Sequence, residues 1–291
     1  MKHYFVVNSH AGKGNKVDEL VKNIETVCGE RGAEFEIYFT KSVGDAESFV
    51  KSTCAKYENS NTVCRFYACG GDGTVNECVN GIVDFEQHEL AVIPIGTGND
   101  FVRNFGNAEE FYSLEAQLDA VSTKCDLIKY NDRYCMNVVN VGLDCEVVSR
   151  TDRIKKNPLV PSKLAYILGV VGEFIKKSGI EFECTIDGIK YEKKKFLLAF
   201  FANGGFYGGG FHAAPLAELK DGLIDLCFVN YISRLTFLGV IGKYKKGTHL
   251  EIKNRDEIFD YVKCREIEMN FGKKERVCID GEIEEYDKLK I

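Results

Sequence analysis

The stretch Val63–Thr74, reading V-C-R-F-Y-A-C-G-G-D-G-T, decides the fold. Val63–Cys69 is an apolar, aromatic run of strand length, and it meets Gly70-Gly71-Asp72-Gly73 with no spacer. The next residues, Thr74–Ile82, carry Val75, Cys78, Val79 and Ile82 at helical spacing. A buried strand therefore turns directly into a helix. Glycines in such a turn let a polyphosphate approach the backbone and leave N–H groups to point at it. The helix N-terminus adds partial positive charge. The segment is not a Walker A loop, since no Gly-Lys-Ser/Thr follows, and it is not the G-x-G-x-x-G dinucleotide fingerprint. Its other reading is a plain strand-to-helix turn with Asp72 near the N-cap.

Outward from this point the pattern repeats. Tyr4–Val7, Phe35–Phe39 and Leu90–Ile95 predict strands. Asn15–Glu30 and Asp45–Tyr57 predict helices, the first with Leu20, Ile24 and Val27 on one side, the second with Ala46, Val50 and Cys54. Alternating strands and helices predict a doubly wound parallel α/β sheet. In such sheets ligands bind beyond the carboxyl ends of the strands. Ser9–Gly14, Gly70–Gly73 and Gly96–Asn99 all fall there. Their convergence favours a phosphate site over three unrelated turns.

Beyond a helix near Glu109–Ala120 the pattern changes. Cys125–Tyr130 and Tyr134–Val141 flank Asn131-Asp132, and Ile180–Ile186 and Lys190–Lys194 flank Asp187-Gly188, which is hairpin chemistry. Phe196–Ala202, Leu223–Val229, Tyr261–Phe271 and Arg276–Ile279 predict further strands, interrupted by helices at Ser162–Lys177 and Ser233–Lys246. A second, antiparallel β-sandwich-like domain is expected. The expected boundaries are 1–122 for the α/β domain, 123–275 for the β-rich domain, and a segment 276–291 returning towards the first. A nucleotide site is expected in the cleft between the domains.

Composition bounds the function. The chain has 291 residues, 45% hydrophobic and 28% charged, the balance of a globular protein. Its formal charge of −6 argues against a nucleic-acid partner. Basic clusters at Lys155-Lys156, Lys176-Lys177, Lys193–Lys195, Lys243–Lys246 and Lys273–Arg276 read as solvated helix ends and turns, or as a patch for anionic lipid headgroups. The 12 cysteines show no C-x-x-C pair and sit in apolar runs, as buried free thiols do. The opening Met-Lys-His-Tyr-Phe-Val-Val reads as a strand rather than a signal peptide, and no apolar stretch approaches the roughly 18–20 residues of a membrane span. A cytoplasmic protein with reduced thiols is expected.

Gly70–Asn76, G-G-D-G-T-V-N, and Pro94–Phe101, P-I-G-T-G-N-D-F, together with their spacing, resemble the two signatures of the diacylglycerol kinase catalytic-domain superfamily, which includes bacterial lipid kinases and sphingosine and ceramide kinases. The resemblance runs along the whole chain in order. It implies an ATP-dependent lipid kinase using Mg²⁺, with diacylglycerol or a related lipid as acceptor. Asn8, Ser9, His10, Ala11 and Gly12 match a first loop usually written N-P-x-S-G, with Ser9 in place of Pro and Ala11 in place of Ser. Thr40 matches a position beside the nucleotide. Gly70, Gly71, Asp72, Gly73, Thr74, Val75 and Asn76 would wrap the phosphates, with Thr97 and Asn99 completing the pocket. Asp72 and Asp100 would organise Mg²⁺ and its waters. In Glu218–Leu223, E-L-K-D-G-L, the resemblance implies a structural Mg²⁺ on the Asp221 side chain and the Glu218 and Leu223 carbonyls. The residues alone suggest only a turn at Lys220-Asp221-Gly222.

Asp280-Gly281-Glu282 resembles the family's C-terminal D-G-E, so Asp280 or Glu282 would take the proton of the attacking hydroxyl. Ile186-Asp187-Gly188-Ile189 has nearly the same pattern and reads as a hairpin turn. The His residues show no metal spacing, and His10 is a neighbour of the phosphate loop. Asn203–Gly210 with Phe206, Tyr207 and Phe211 reads equally as a strand connection or a cleft wall. A lipid kinase lacking a spanning helix must meet its substrate at the membrane surface, with Leu159–Val171 as the expected docking element. A homodimer through an exposed sheet edge is a further expectation. The rivals are a kinase of a soluble acceptor such as NAD, whose enzymes share a G-G-D-G-T loop, and a non-catalytic nucleotide or lipid sensor.

Overall fold

The structure, a computed structural model, describes residues 1–12, 15–143, 145–147 and 179–291. The helix expected at Ser162–Lys177, and the docking element at Leu159–Val171 with its flanking lysine pairs, lie outside the described residues. The chain divides into two compact units, Met1–Cys125 and Asp126–Ile291.

The first unit runs β1 (Lys2–Val7), α1 (Lys16–Glu30), β2 (Phe35–Phe39), α2 (Asp45–Tyr57), β3 (Cys64–Gly70), α3 (Asp72–Ile82), β4 (Glu89–Pro94), two 3-10 turns and α4 (Leu114–Asp119). The four strands pair in parallel in the order β2-β1-β3-β4. β3 is buried along its whole length, because both of its faces are covered. On one face Phe5, Val7, Tyr67 and Cys69 pack against Ile24, Val27 and Cys28 of α1. On the other, Tyr4 stacks on Phe66 and meets Phe49 of α2. The one charged residue in β3, Arg65, is buried too. Its guanidinium pairs with Glu89 at 2.6 Å and donates to the carbonyls of Gln117, Leu118 and Ala120, so it closes the end of α4. The helix expected near Glu109–Ala120 is divided, since the Ser113 hydroxyl accepts from the Ala116 N–H and starts α4 afresh.

The second unit contains β5 (Ile128–Tyr130), β6 (Arg133–Cys135), β7 (Val138–Gly142), β8 (Ile180–Ile186), β9 (Ile189–Ala202), β10 (Phe206–Tyr207), β11 (Phe211–His212), β12 (Ile224–Asn230), α5 (Arg234–Lys246), α6 (Arg255–Ile258), β13 (Phe259–Cys264), β14 (Ile267–Ile279) and β15 (Glu282–Lys290). Its main sheet is antiparallel, in the order β13-β12-β9-β7-β14-β15, with β8 joining β9 to β14.

Several expected strands differ. Lys190–Lys194 and Phe196–Ala202 run on as the single strand β9. Tyr134–Val141 is broken between β6 and β7, because Met136 and Asn137 give their N–H groups to Asp280 instead of a ladder. Tyr261–Phe271 is two strands, because the N–H groups of Arg265 and Glu266 both donate to Asp187 Oδ1 where β13 gives way to β14. Arg276–Ile279 is the end of β14, so no boundary falls at residue 276; residues 276–291 complete a hairpin within the second sheet.

Candidate functional site

The first unit gathers most of the candidate residues at the carboxyl ends of β1, β3 and β4. The Asn8 amide donates to the Thr74 hydroxyl at 3.2 Å, tying the loop after β1 to the first turn of α3. Asn8 Oδ1 in turn accepts from the His10 N–H. Asp72 does a similar task for the loop after β4. Its Oδ1 accepts the N–H groups of Asp100 at 2.8 Å and Phe101 at 3.2 Å. The two glycine loops also touch directly. A Cβ placed on Gly96 would overlap the Cα of Gly71 and lie 2.9 Å from its nitrogen. A Cβ on Gly98 would lie 2.8 Å from Asp72 Oδ2. Glycine is required here by close approach of backbone to backbone and to carboxylate, not by φ. Asn99 is held in the left-handed region at φ 53, and its amide donates to the Pro94 and Gly96 carbonyls.

What remains open at this edge suits a phosphate. The first N–H groups of α3 have no partner inside the helix, and they sit at its positive end. A pocket of about 280 Å³ adjoins them, bounded by Asn8, His10, Thr40, Lys41, Thr74 and Glu77. Asn8, His10, Thr40 and Thr74 were expected from the sequence; Lys41 and Glu77 were not. Glu77 Oε2 accepts from the Ala46 N–H at 3.1 Å. Its place three residues after Thr74, on the same helix face, is the signal that could have found it. A larger hollow of about 590 Å³ on the second unit is lined by Glu183, Lys190, Glu268 and Lys288 and contains no candidate residue, so chemistry rather than volume selects the pocket.

The two expected metal sites separate. A Cβ on Gly98 would have Asp72 Oδ2 at 2.8 Å and Asp100 Oδ2 at 3.9 Å, and the Arg103 guanidinium lies 3.4 Å from the other Asp100 oxygen. Two carboxylate oxygens beside one glycine fit a Mg²⁺ that would arrive with a triphosphate and keep several waters. The Glu218–Leu223 loop does not fit. Asp221 Oδ1 accepts the Leu223 N–H at 3.0 Å, and Asp221 Oδ2 lies 2.6 Å from the Lys263 ammonium. Burial pushes the nearby Asp225 carboxyl above its ordinary range, although the Tyr261 hydroxyl and Lys263 oppose the rise.

In the second unit Asp280 and Glu282 have different surroundings. Asp280 Oδ1 accepts the N–H groups of Asn137 and Val138, both at 3.0 Å, and the Cys135 thiol; Oδ2 accepts the Met136 N–H at 2.8 Å. The carboxylate is enclosed by backbone donors. Asp187 is its counterpart: φ is 47 there and 46 at Asp280, each precedes a glycine of positive φ, and each carboxylate accepts N–H groups at a break between two strands. Glu282, at the start of β15, is exposed.

A parallel α/β unit whose loops offer helix-terminal N–H groups and paired carboxylates, followed by an antiparallel β unit, is the architecture of a nucleotide-using enzyme. The comparisons make the class specific. The diacylglycerol kinase catalytic domain model matches residues 2–130, and that of the YegS C-terminal NAD kinase beta sandwich-like domain matches residues 137–288. The chain belongs to the diacylglycerol kinase catalytic-domain family. A diacylglycerol kinase of Bacillus subtilis (strain 168) is 28% identical over 264 residues, covering 87% of this chain and 80% of that protein. A crystal structure of a diacylglycerol kinase from Bacillus anthracis (strain Sterne) aligns with a TM-score of 0.69 at 23% identity, over 99% of this chain and 92% of that one. An NAD kinase from Archaeoglobus fulgidus in complex with ATP aligns at 0.52 and 14% identity, over 100% and 89% of the two chains; at these identities the likeness concerns fold alone.

Proposed function

We propose that this chain is an ATP- and Mg²⁺-dependent lipid kinase that phosphorylates the hydroxyl of diacylglycerol, giving phosphatidate. The observation that carries the reading is the Asp72 clamp. One carboxylate joins the start of α3 to the Asp100–Phe101 turn, so phosphate-binding N–H groups and both candidate Mg²⁺ carboxylates form one built edge. In the reaction the acceptor oxygen bonds to the γ-phosphorus, the bond to the β,γ-bridging oxygen breaks, and ADP leaves. The α3 N-terminus and the Gly70–Thr74 backbone orient the triphosphate. Bound Mg²⁺ would neutralise charge on the phosphate oxygens, with Asp72 and Asp100 holding its waters. Glu282 takes the hydroxyl proton, since its carboxylate is exposed while that of Asp280 is engaged with backbone donors.

The lipid surface draws support from α5. Leu235 and Leu238 on this helix are 82% and 55% exposed, Lys243, Lys245 and Lys246 fill its last turn, and it contains no acidic residue. The lysines also complement the helix dipole; the leucines have no such structural reason. Among the described residues no helix is long and apolar enough to cross a membrane; transient docking from the cytoplasm is part of the proposal. A homodimer through a sheet edge remains part of the proposal, and sedimentation equilibrium tests it.

The likeness in fold to an NAD kinase favours one second reading, phosphorylation of NAD. Labelled ATP with Mg²⁺, offered diacylglycerol in mixed micelles or NAD in solution, separates the two. Labelled phosphatidate is the expected product. Labelled NADP alone, or ATP binding without turnover on any lipid of a panel, would refute the proposal.

A further inference from the structure

The charge of the Glu218–Leu223 loop is already balanced from within the chain. Lys263 on β13 stands directly opposite Asp225 on β12, so both side chains share one face of the sheet. From there the ammonium lies 2.6 Å from Asp221 Oδ2 and 3.5 Å from Asp225 Oδ2. The Asp225 side chain is 1% exposed, and its Oδ1 accepts the Tyr261 hydroxyl at 2.7 Å. Asp221 Oδ1 is occupied by the Leu223 N–H, and the Gly222 N–H is held by Asp126 Oδ2 at 2.8 Å. The loop is thus closed by its own donors.

A divalent ion on Asp221 would have to share Oδ2 with an ammonium, at a separation where two cations repel, or expel Lys263. Expulsion would strip Asp225 of the cation beside it, and a buried carboxylate left without its partner is strongly destabilising. Hard cations also need several oxygens aimed at one point. Here both oxygens of the one side chain in the loop's implied ligand set, Asp221, are already engaged, one by an N–H and one by an ammonium.

We propose that Lys263 is the resident cation of this loop: its ammonium fastens Glu218–Leu223 to β12 and β13, and no divalent ion binds there. The inference holds whatever the acceptor is. Any Mg²⁺ requirement then belongs to the ion that accompanies the nucleotide.

The test uses the full chain without nucleotide. Mn²⁺ binding is followed by electron paramagnetic resonance in the wild type and Asp221→Asn, and thermal unfolding is recorded with and without millimolar MgCl₂ in the wild type and Lys263→Met. Expected are Mn²⁺ titrations unchanged by Asp221→Asn, a wild-type Tm indifferent to MgCl₂, and a Tm lower by roughly 5–10 °C in Lys263→Met. A wild-type Mn²⁺ site lost in Asp221→Asn, or a Lys263→Met chain that melts with the wild type, overturns the proposal. If Lys263→Met does not fold, the wild-type and Asp221→Asn titrations decide alone.

Discussion

Replacing Gly96 by alanine should break the nucleotide edge, whereas the same change at Gly71 should be tolerated by the fold. The new methyl group at Gly96 would overlap the Gly71 Cα and stand 2.9 Å from both the Gly71 nitrogen and Asn99 Oδ1. Ordinary carbon contacts need about 3.5–4.0 Å, so the two loops must part by roughly 1 Å or more. Neither neighbour can rotate away, because one is backbone and the other is pinned by its amide bonds to Pro94 and Gly96. Overpacking of this kind costs about 1–3 kcal/mol, which for a unit of this size lowers Tm by roughly 5–10 °C. A shift of about 1 Å in the phosphate loop should lower kcat/KM on the order of 100-fold. At Gly71 the methyl would lie 3.4 Å from the Gly96 Cα, an ordinary contact, and φ −100, ψ −170 is open to any residue. Thermal unfolding followed by circular dichroism, with ATP binding by calorimetry, compares the two. If Gly96→Ala melts and binds ATP as the wild type does, or if Gly71→Ala is the more damaging, the reasoning that the loops form one packed edge is wrong.

Other outcomes follow from the second unit. Asp280→Asn keeps a residue suited to φ 46 but sets an amide against the Met136 N–H; the loss of charged hydrogen bonds should cost about 2–4 kcal/mol in urea unfolding, whereas Glu282→Gln should unfold as the wild type and lose lipid phosphorylation. His249 is buried, and desolvation, aided by the neighbouring His212, lowers its pKa from 6.5 to about 4. The unfolded chain therefore binds a proton that the folded chain refuses. Stability should be intact above pH 6.5 and fall by roughly 3 kcal/mol as pH drops to 4, a slope that His249→Phe should flatten. Leu235→Asp with Leu238→Asp should reduce sedimentation with anionic vesicles at least about tenfold, while activity on a water-soluble short-chain acceptor stays.

Parts of the molecule were legible because their causes are local. β3 and α3 follow from a change of hydrophobic period at a glycine pair, and Phe35–Phe39 and Asp45–Tyr57 were read with the bounds observed. The breaks after Cys135 and Cys264 were not legible. Each is made by a carboxylate far along the chain, Asp280 acting on Met136 and Asp187 on Arg265, and no local pattern encodes a bond across 144 or 78 residues. At the site, the sequence singled out Asp72 as a cap or a metal residue. Its clamp on Asp100 and Phe101, from 28 and 29 positions away, was hidden for the same reason. Lys263 stood in no motif. Only the register of β12 with β13 sets it against Asp225.

The turn at Asp280-Gly281 also bears on entropy. A surface carboxylate on a loose loop samples many positions, and restraining one residue costs about 1–2 kcal/mol. The residue before Glu282 but one is fastened by three N–H groups, and Glu282 itself opens a strand paired to Ile279. Most of its disorder is thus removed at folding, and in the proposed role of base this would raise its effective concentration towards the attacking hydroxyl. The twin turn at Asp187-Gly188 supplies the matching scaffold with Ile189 in the third place. Within one chain, the same rigid Asp-Gly bend is present once with a glutamate in third place and once with an isoleucine.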